Sequence, residues 1–358
     1  MSILTPLDNT RLTAALLEVE LRLDAFATES AQRAERHGPH YRLLWEGIRT
    51  GLAGGKRIRP RLLLQAHAEL SAVDDDSAIR LATAIELLHT ALLLHDDVID
   101  RDIERRGRAN LIGSFAADAV AAGRDSNVAT HWGETAGILA GDLLLTEALR
   151  MGMLPGLDPG RAERISALMG ESLYRAAAGE LADVAASSGL ATPSVAEIRR
   201  TMADKTAHYS LELPLRSAAV LAGAARSIEE GLGRIGRSLG MLFQMTDDLL
   251  GVFGDHANTG KSTSCDLREG KETLLIAFAR MDPRWEEHSA GFGDPRLDER
   301  GAARLRELLT TSGARERFEG AIGHEHAHVH ALIREAGLPE SLAAMLRGAA
   351  DEARERRA

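Results

Sequence analysis

The 358-residue chain has one cysteine, Cys265, and few aromatics: 3 Trp, 3 Tyr and 7 Phe, or 4% of residues. A single thiol excludes internal disulfides and every zinc or iron–sulfur site built on several cysteines, and it fits a reducing, cytoplasmic setting. No stretch reaches the roughly 18 apolar residues that a membrane-spanning helix needs. The richest run, ATAIELLHTALLLH, is interrupted by Glu86 and His89, so no membrane span is expected. The opening segment, MSILTPLDNTRLTAALLEVE, lacks the basic and apolar regions of a secretory signal. Positive charge is in deficit, with Lys+Arg 43 against Asp+Glu 53, a formal charge of −10. That balance argues against nucleic acid as a partner, yet it leaves room for a local cationic pocket that holds a small anion.

With 44% hydrophobic and 27% charged residues, the composition is that of a globular protein with a large core. Ala, Leu, Arg and Glu are abundant, and such side chains lose little rotamer freedom in a helix. Helical spacing recurs, as in Leu81, Ile85, Leu88 and Leu92, and again in Leu239, Leu242, Met245 and Leu249. Period-two alternation is scarce. The expectation is an all-α, single-domain bundle of antiparallel helices over residues 1–358. Breaks are expected at GLAGGKRIRP, AAGRDSNVATHWGE, MGMLPGLDPGR, SSGLATPS, GDHANTGKSTS and HSAGFGDPRLDERG. The terminal DEARERRA reads as a charged helix end or a frayed tail.

The most informative run is AIELLHTALLLHDDVIDRDIERRGR, residues 84–108. On a helix Asp96 and Asp100 are one turn apart, roughly 6 Å along the axis, and share a face. His89 lies two turns earlier on that face. Like charges so placed repel each other, and more strongly when buried, so a neutralising partner is required. Hard oxygen ligands in this pattern suit Mg2+, which keeps positions for water and for substrate phosphates. Arg105 and Arg106 follow, and guanidinium groups recognise phosphate oxygens. Taken alone, the segment reads either as a diphosphate site or as a solvated helix end with local ion pairs.

A second acidic run, FQMTDDLLGVFGDHANTGK, covers residues 243–261. Gln244, Asp247, Asp248 and Gly251 share a helical face there, and Asp255 and Lys261 come after them in a loop. Two carboxylate clusters suit a multi-metal site around one diphosphate. GGKRIRP adds Lys56, Arg57 and Arg59 before a helix that Pro60 could open, and MADKTAHYSLELP places Lys205 and Thr206 mid-helix, where a core-facing lysine needs an anion.

In order and approximate spacing, GGKRIRP, HDDVIDRDIERRG, KT and FQMTDDLLGVFGD…GK resemble the motifs of the trans-prenyl diphosphate synthases, or polyprenyl synthetases, from about residue 45 to residue 280. The resemblance implies an all-α bundle around a central apolar cavity, usually a homodimer. It implies Mg2+-dependent condensation of isopentenyl diphosphate with an allylic diphosphate, with three Mg2+ per active site. Carried over by motif position, Lys56, Arg59, His89 and Arg106 would grip isopentenyl diphosphate. Asp96 and Asp100 would bind Mg2+ on one wall, supported by Asp97, and Asp247 on the other. Arg105, Lys205, Gln244 and Lys261 would hold the allylic diphosphate, and Thr206 would offer its carbonyl or hydroxyl near the reacting carbon.

One departure is Gly251, which stands where the family's second DDxxD often has its last aspartate; Asp248, Asp255 or water would then serve instead. Cys265 stands where relatives often carry another acid, although Asp266 remains. His324, Glu325 and His328 satisfy the HExxH zinc-protease pattern but lack a third ligand, so HEHAHVH reads as a polar helix surface, with His326 and His330 on another face. GDHANTGKS is one residue out of register for a phosphate loop. In this family the residues before the first aspartate form the floor of the product cavity. Small Ala91, beside Leu92, therefore points to geranylgeranyl diphosphate, with medium- or long-chain polyprenyl products as the alternative. A terpene cyclase of similar fold usually lacks GGKxxRP, and a non-catalytic synthase subunit typically loses aspartates or cations that this chain retains.

Overall fold

The computed structural model describes residues 9–71, 76–105, 107–254 and 264–355. Among the described residues two compact units emerge, 9–169 with Val220–Gly223, and Gly170–Ala219 with 224–355. The first contains α1 (Asn9–Ala34), α2 (Pro39–Leu52), α3 (Ile58–Leu70), α4 (Asp76–Ile99), a two-stranded antiparallel hairpin of β1 (Glu104–Arg105) and β2 (Arg108–Ala109), α5 (Leu111–Ala121) and α6 (Ser126–Gly152). The unit boundary falls within α7 (Pro159–Ser187). Beyond it come α8 (Val195–Met202), a π-helical segment (Ala203–Glu212), α9 (Leu213–Leu221), α10 (Arg226–Phe253), α11 (Cys265–Glu269), α12 (Leu274–Ala279), α13 (Arg284–His288), α14 (Glu299–Thr311), α15 (Ala314–Glu335) and α16 (Glu340–Glu355). The fold is all-α, as the composition predicts, and the hairpin is the one sheet among the described residues.

In the first unit α4 is the core helix. Every residue from Leu81 to Leu88 is buried, which accounts for an apolar run around the whole circumference. By length and hydropathy α4 could cross a membrane, but most of its apolar window is buried within the protein. Glycines on α6 let it lie close against the C-terminal end of α4. A Cβ at Gly137 would fall 2.5 Å from Val98, and one at Gly141 would fall 2.3 Å from His95 Nε2. The break expected at AAGRDSNVATHWGE is shorter than that segment. Asp125 caps α6 by accepting from the amides of Asn127 (2.9 Å) and Val128 (3.1 Å), so the helix already begins at Ser126.

In the second unit α10 packs on the π-helical segment, again through glycine: a Cβ at Gly240 would lie 2.6 Å from that of Ala207. Glu212, 1% exposed, closes the segment and is held by Arg216 (3.1 Å) and Arg237 (2.9 Å), which satisfies its buried charge. A capping box of Ser194 and Glu197 starts α8 after the break at SSGLATPS. Charged α16 runs to Glu355, as DEARERRA suggests.

Candidate active site

The first aspartate cluster forms at the end of α4. Asp96 is half-buried, Asp97 buried and Asp100 exposed just past the last turn, where its amide donates to the Asp96 carbonyl at 2.8 Å. The helical spacing of Asp96 and Asp100 is therefore real. The chain then doubles back through the hairpin, whose turn includes Gly107 at φ 71. The hairpin returns Arg105 to the helix end. Its Nε donates to Asp97 Oδ1 at 3.0 Å, its Nη2 also bonds Asp97, and Nη2 lies 3.7 Å from Asp96 Oδ2. Here is the neutralising partner that two neighbouring carboxylates demand. Burial pushes the Asp97 carboxyl above its usual range, and hydrogen bonding from Arg105 pulls it back. Asp97 thus supports the cluster by seating Arg105.

Lys56 is exposed and Arg59 half-buried in the first turn of α3. Arg57 between them has a different task. It adopts a left-handed conformation (φ 48), is 8% exposed, and donates to Glu20 (2.6 and 2.8 Å), to Glu86 Oε1 (2.7 Å) and to the Leu52 carbonyl (2.5 Å). It anchors the loop that presents Lys56. His89 and Leu92 are half-buried on α4, whereas Ala91 is fully buried. Arg106 lies outside the described residues, as do Asp255 and Lys261 and with them most of the GDHANTGKS segment.

In the second unit Lys205 and Thr206 sit in the π-helical segment, a winding that is rare and concentrates at functional sites. Lys205 Nζ lies 3.1 Å from Glu180 and 2.7 Å from Asp183 of α7, the anions its mid-helix position required. The approach depends on Gly179, where a Cβ would stand 2.3 Å from the Lys205 nitrogen. Asp247 is exposed at the surface of α10. Its neighbour Asp248 is 3% exposed and accepts from Gln244 Nε2 at 2.8 Å. Burial raises the Asp248 carboxyl to about 6, against the pull of Lys271 at 3.8 Å. Gln244 is thereby turned toward Asp248.

The carboxylate missing at Gly251 is supplied in space by Asp266 of α11, since a Cβ at 251 would lie 2.3 Å from Asp266 Oδ2. Glu180, Asp183 and Lys271 escaped the sequence reading. Their only signals are an acidic pair at helical spacing in GELADV and the REGK that closes α11. Asp96 and Asp100 in one unit and Asp247 with Asp266 in the other are carboxylate donors of the hard kind that fits Mg2+. The HExxH reading fails on contacts. Glu325 is buried and bonded to Arg199 at 2.8 Å, and His324 and His328 are exposed.

Residues 42–290 match the family described as Polyprenyl synthetase. The chain is 33% identical over 268 residues to the geranylfarnesyl diphosphate synthase of Aeropyrum pernix, covering 73% of this chain and 77% of that protein. It is 31% identical over 358 residues to the (2E,6E)-farnesyl diphosphate synthase of Mycobacterium tuberculosis (strain ATCC 25618 / H37Rv), covering 95% of this chain and 93% of that one. The crystal structure of geranylgeranyl pyrophosphate synthase from Corynebacterium glutamicum, complexed with isoprenyl diphosphate and magnesium, superposes with a TM-score of 0.86 at 30% identity over 95% of this chain and 98% of that chain.

Proposed function

From the premise that the chain belongs to the polyprenyl synthetase family and is a prenyl diphosphate synthase, we propose that it condenses isopentenyl diphosphate with an allylic diphosphate to give geranylgeranyl diphosphate, using Mg2+. One observation carries the chemistry. Each unit holds a carboxylate set with a fixed cation, Asp96, Asp97 and Asp100 with Arg105 in one, and Asp247, Asp248 and Asp266 with Lys271 in the other. Magnesium, when bound, supplies charge stabilisation to the departing diphosphate, with Asp96, Asp100 and Asp247 as its holders and three ions per site.

The side chains do the rest by binding and orientation. Lys56, Arg59, His89 and Arg106 grip isopentenyl diphosphate, while Arg105, Lys205, Gln244 and Lys261 hold the allylic diphosphate. The C–O bond to that diphosphate breaks, and its electrons leave with the diphosphate. Thr206 offers its carbonyl or hydroxyl to the allylic carbon as positive charge develops. The double bond of isopentenyl diphosphate forms the new C–C bond, and the released diphosphate takes the proton lost from it. No protein nucleophile is required.

Chain length rests on Ala91. Each added five-carbon unit gains at most about 4 kcal/mol on burial, so a steric stop and not waning affinity sets the product. A small residue five places before Asp96 favours growth past the farnesyl stage. Longer polyprenyl products are the second reading, favoured by the relatedness to a geranylfarnesyl synthase. We place the enzyme in the cytoplasm as a single-domain homodimer. The exposed apolar Val120, Val128, Ile138 and Leu139 of α5 and α6 favour a covered surface. The test is to incubate the purified protein with Mg2+, isopentenyl diphosphate and each allylic primer, and to read product length by mass spectrometry. Geranylgeranyl diphosphate is expected, with no turnover in excess chelator. Full turnover in chelator would sink the metal assignment, and a longer product the chain-length assignment.

A further inference from the structure

Outside the diphosphate machinery, two histidines and an aspartate converge on the second unit. His326 and His330 lie one turn apart on α15, their rings 4.5 Å apart between centroids. Both Nε2 atoms reach the same oxygen, Asp351 Oδ1 on α16, at 2.7 and 2.9 Å. All three ligating atoms lie within 4.8 Å of one another. The His326 and His330 side chains are 14% and 22% exposed, so both are partly shielded and neither is cut off from solvent.

The geometry points to a binding site for a divalent transition metal, Zn2+, held by His326 Nε2, His330 Nε2 and an Asp351 carboxylate oxygen, with water as the fourth ligand. Two imidazoles and one carboxylate form a borderline donor set that Zn2+ accepts, and three protein ligands leave one tetrahedral position open. Tetrahedral Zn2+ with bonds near 2.0–2.1 Å needs its ligand atoms roughly 3.3 Å apart. The present spacings to Asp351 are 2.7 and 2.9 Å, so each histidine nitrogen needs to draw back from the carboxylate by only a few tenths of an ångström. The ion would replace two N–H donors now crowded on one oxygen, and it would tie α15 to α16. Magnesium, which prefers oxygen, is the wrong ion for this set.

Arg354 opposes it. Its Nη1 stands 3.4 Å from His326 Nδ1 and donates to it, which fixes the tautomer with the proton on Nε2. Ligation through Nε2 moves that proton to Nδ1, where the guanidinium must leave. Arg354 is exposed near the end of α16 and can swing away. Binding therefore releases Arg354.

The test uses the chelator-treated full-length chain. Zn2+ is titrated against a chromophoric chelator, and Co2+ is followed by its visible spectrum. The wild type is expected to bind one equivalent more than His330→Ala, with intense tetrahedral Co2+ bands that an all-oxygen site does not give. His326→Ala and Asp351→Asn should each weaken this binding at least about tenfold, as loss of a ligand demands. His324→Ala and His328→Ala should retain it, and Arg354→Ala, which keeps every ligand, should tighten it. Equal Zn2+ stoichiometry and affinity in wild type and His330→Ala, or weaker binding in Arg354→Ala, would overturn the assignment. These readouts involve no prenyl transfer, so the outcome is independent of the catalytic reading.

Discussion

Asp266 Oδ2 stands where a side chain on Gly251 would have to go, 2.3 Å from an ideal Cβ at that position. The second acidic cluster therefore recovers a carboxylate from another helix, and the two positions exclude each other. Gly251→Asp alone should lower activity by displacing Asp266, and Asp266→Ala should lower kcat about tenfold or more. The double variant Gly251→Asp/Asp266→Gly should outperform both single variants, a coupling expected of residues sharing one space. Steady-state kinetics on the four proteins decide this, and additive losses would refute the exchange.

Arg57 is a structural anchor next to Lys56. Removing its charge with Arg57→Met leaves Glu86 buried without its guanidinium partner, and the expected cost is about 3–5 kcal/mol in urea unfolding. Where the variant folds, KM for isopentenyl diphosphate should rise more than kcat falls, because the loop bearing Lys56 loses its hold. A stability change below about 1 kcal/mol would mean that the ion pair is dispensable.

His208 makes stability fall on the acid side. Burial lowers its pKa from the ordinary 6.5, only partly offset by Glu212 at 3.5 Å, with Arg175 and Arg237 adding to the lowering and Asp204 opposing it. The unfolded chain thus binds a proton that the folded chain resists, so stability is lost as pH drops below about 6.5. His208→Gln should flatten that limb of the Tm profile between about pH 7 and pH 5.5. Parallel profiles for the two proteins would remove His208 as the cause.

Ala91 is fully buried on α4. Ala91→Phe should shorten the product and, by overpacking, cost about 1–3 kcal/mol of stability. Mass spectrometry of the products checks the first effect and thermal unfolding the second. An unchanged product length in a folded variant would place the chain-length stop elsewhere.

Much of this was legible in the chain. Asp96 and Asp100 declare themselves by spacing, and α4 by apolar residues on every face, because both signals are local and periodic. Lys205 announced a missing anion. Its partners Glu180 and Asp183 did not announce themselves, since an acidic pair on an exposed-looking helix has no local mark of its distant lysine. Arg57 reads as one more cation of GGKRIRP because sequence carries no left-handed φ and no burial. Arg105 needed the hairpin, two residues per strand and too short for any alternation, to turn it back onto Asp97. The early start of α6 was masked by polar first turns, which a cap such as Asp125 makes stable.

The π-helical stretch Ala203–Glu212 sets the register of the helix that continues from it. A π turn closes on the fifth residue and not the fourth, so it absorbs extra residues without lengthening the helix in proportion. The phase of α9 depends on how many residues lie between Met202 and Leu213, and not only on which ones. Among diverging copies of this gene, substitutions there should be commoner than single-codon gains or losses.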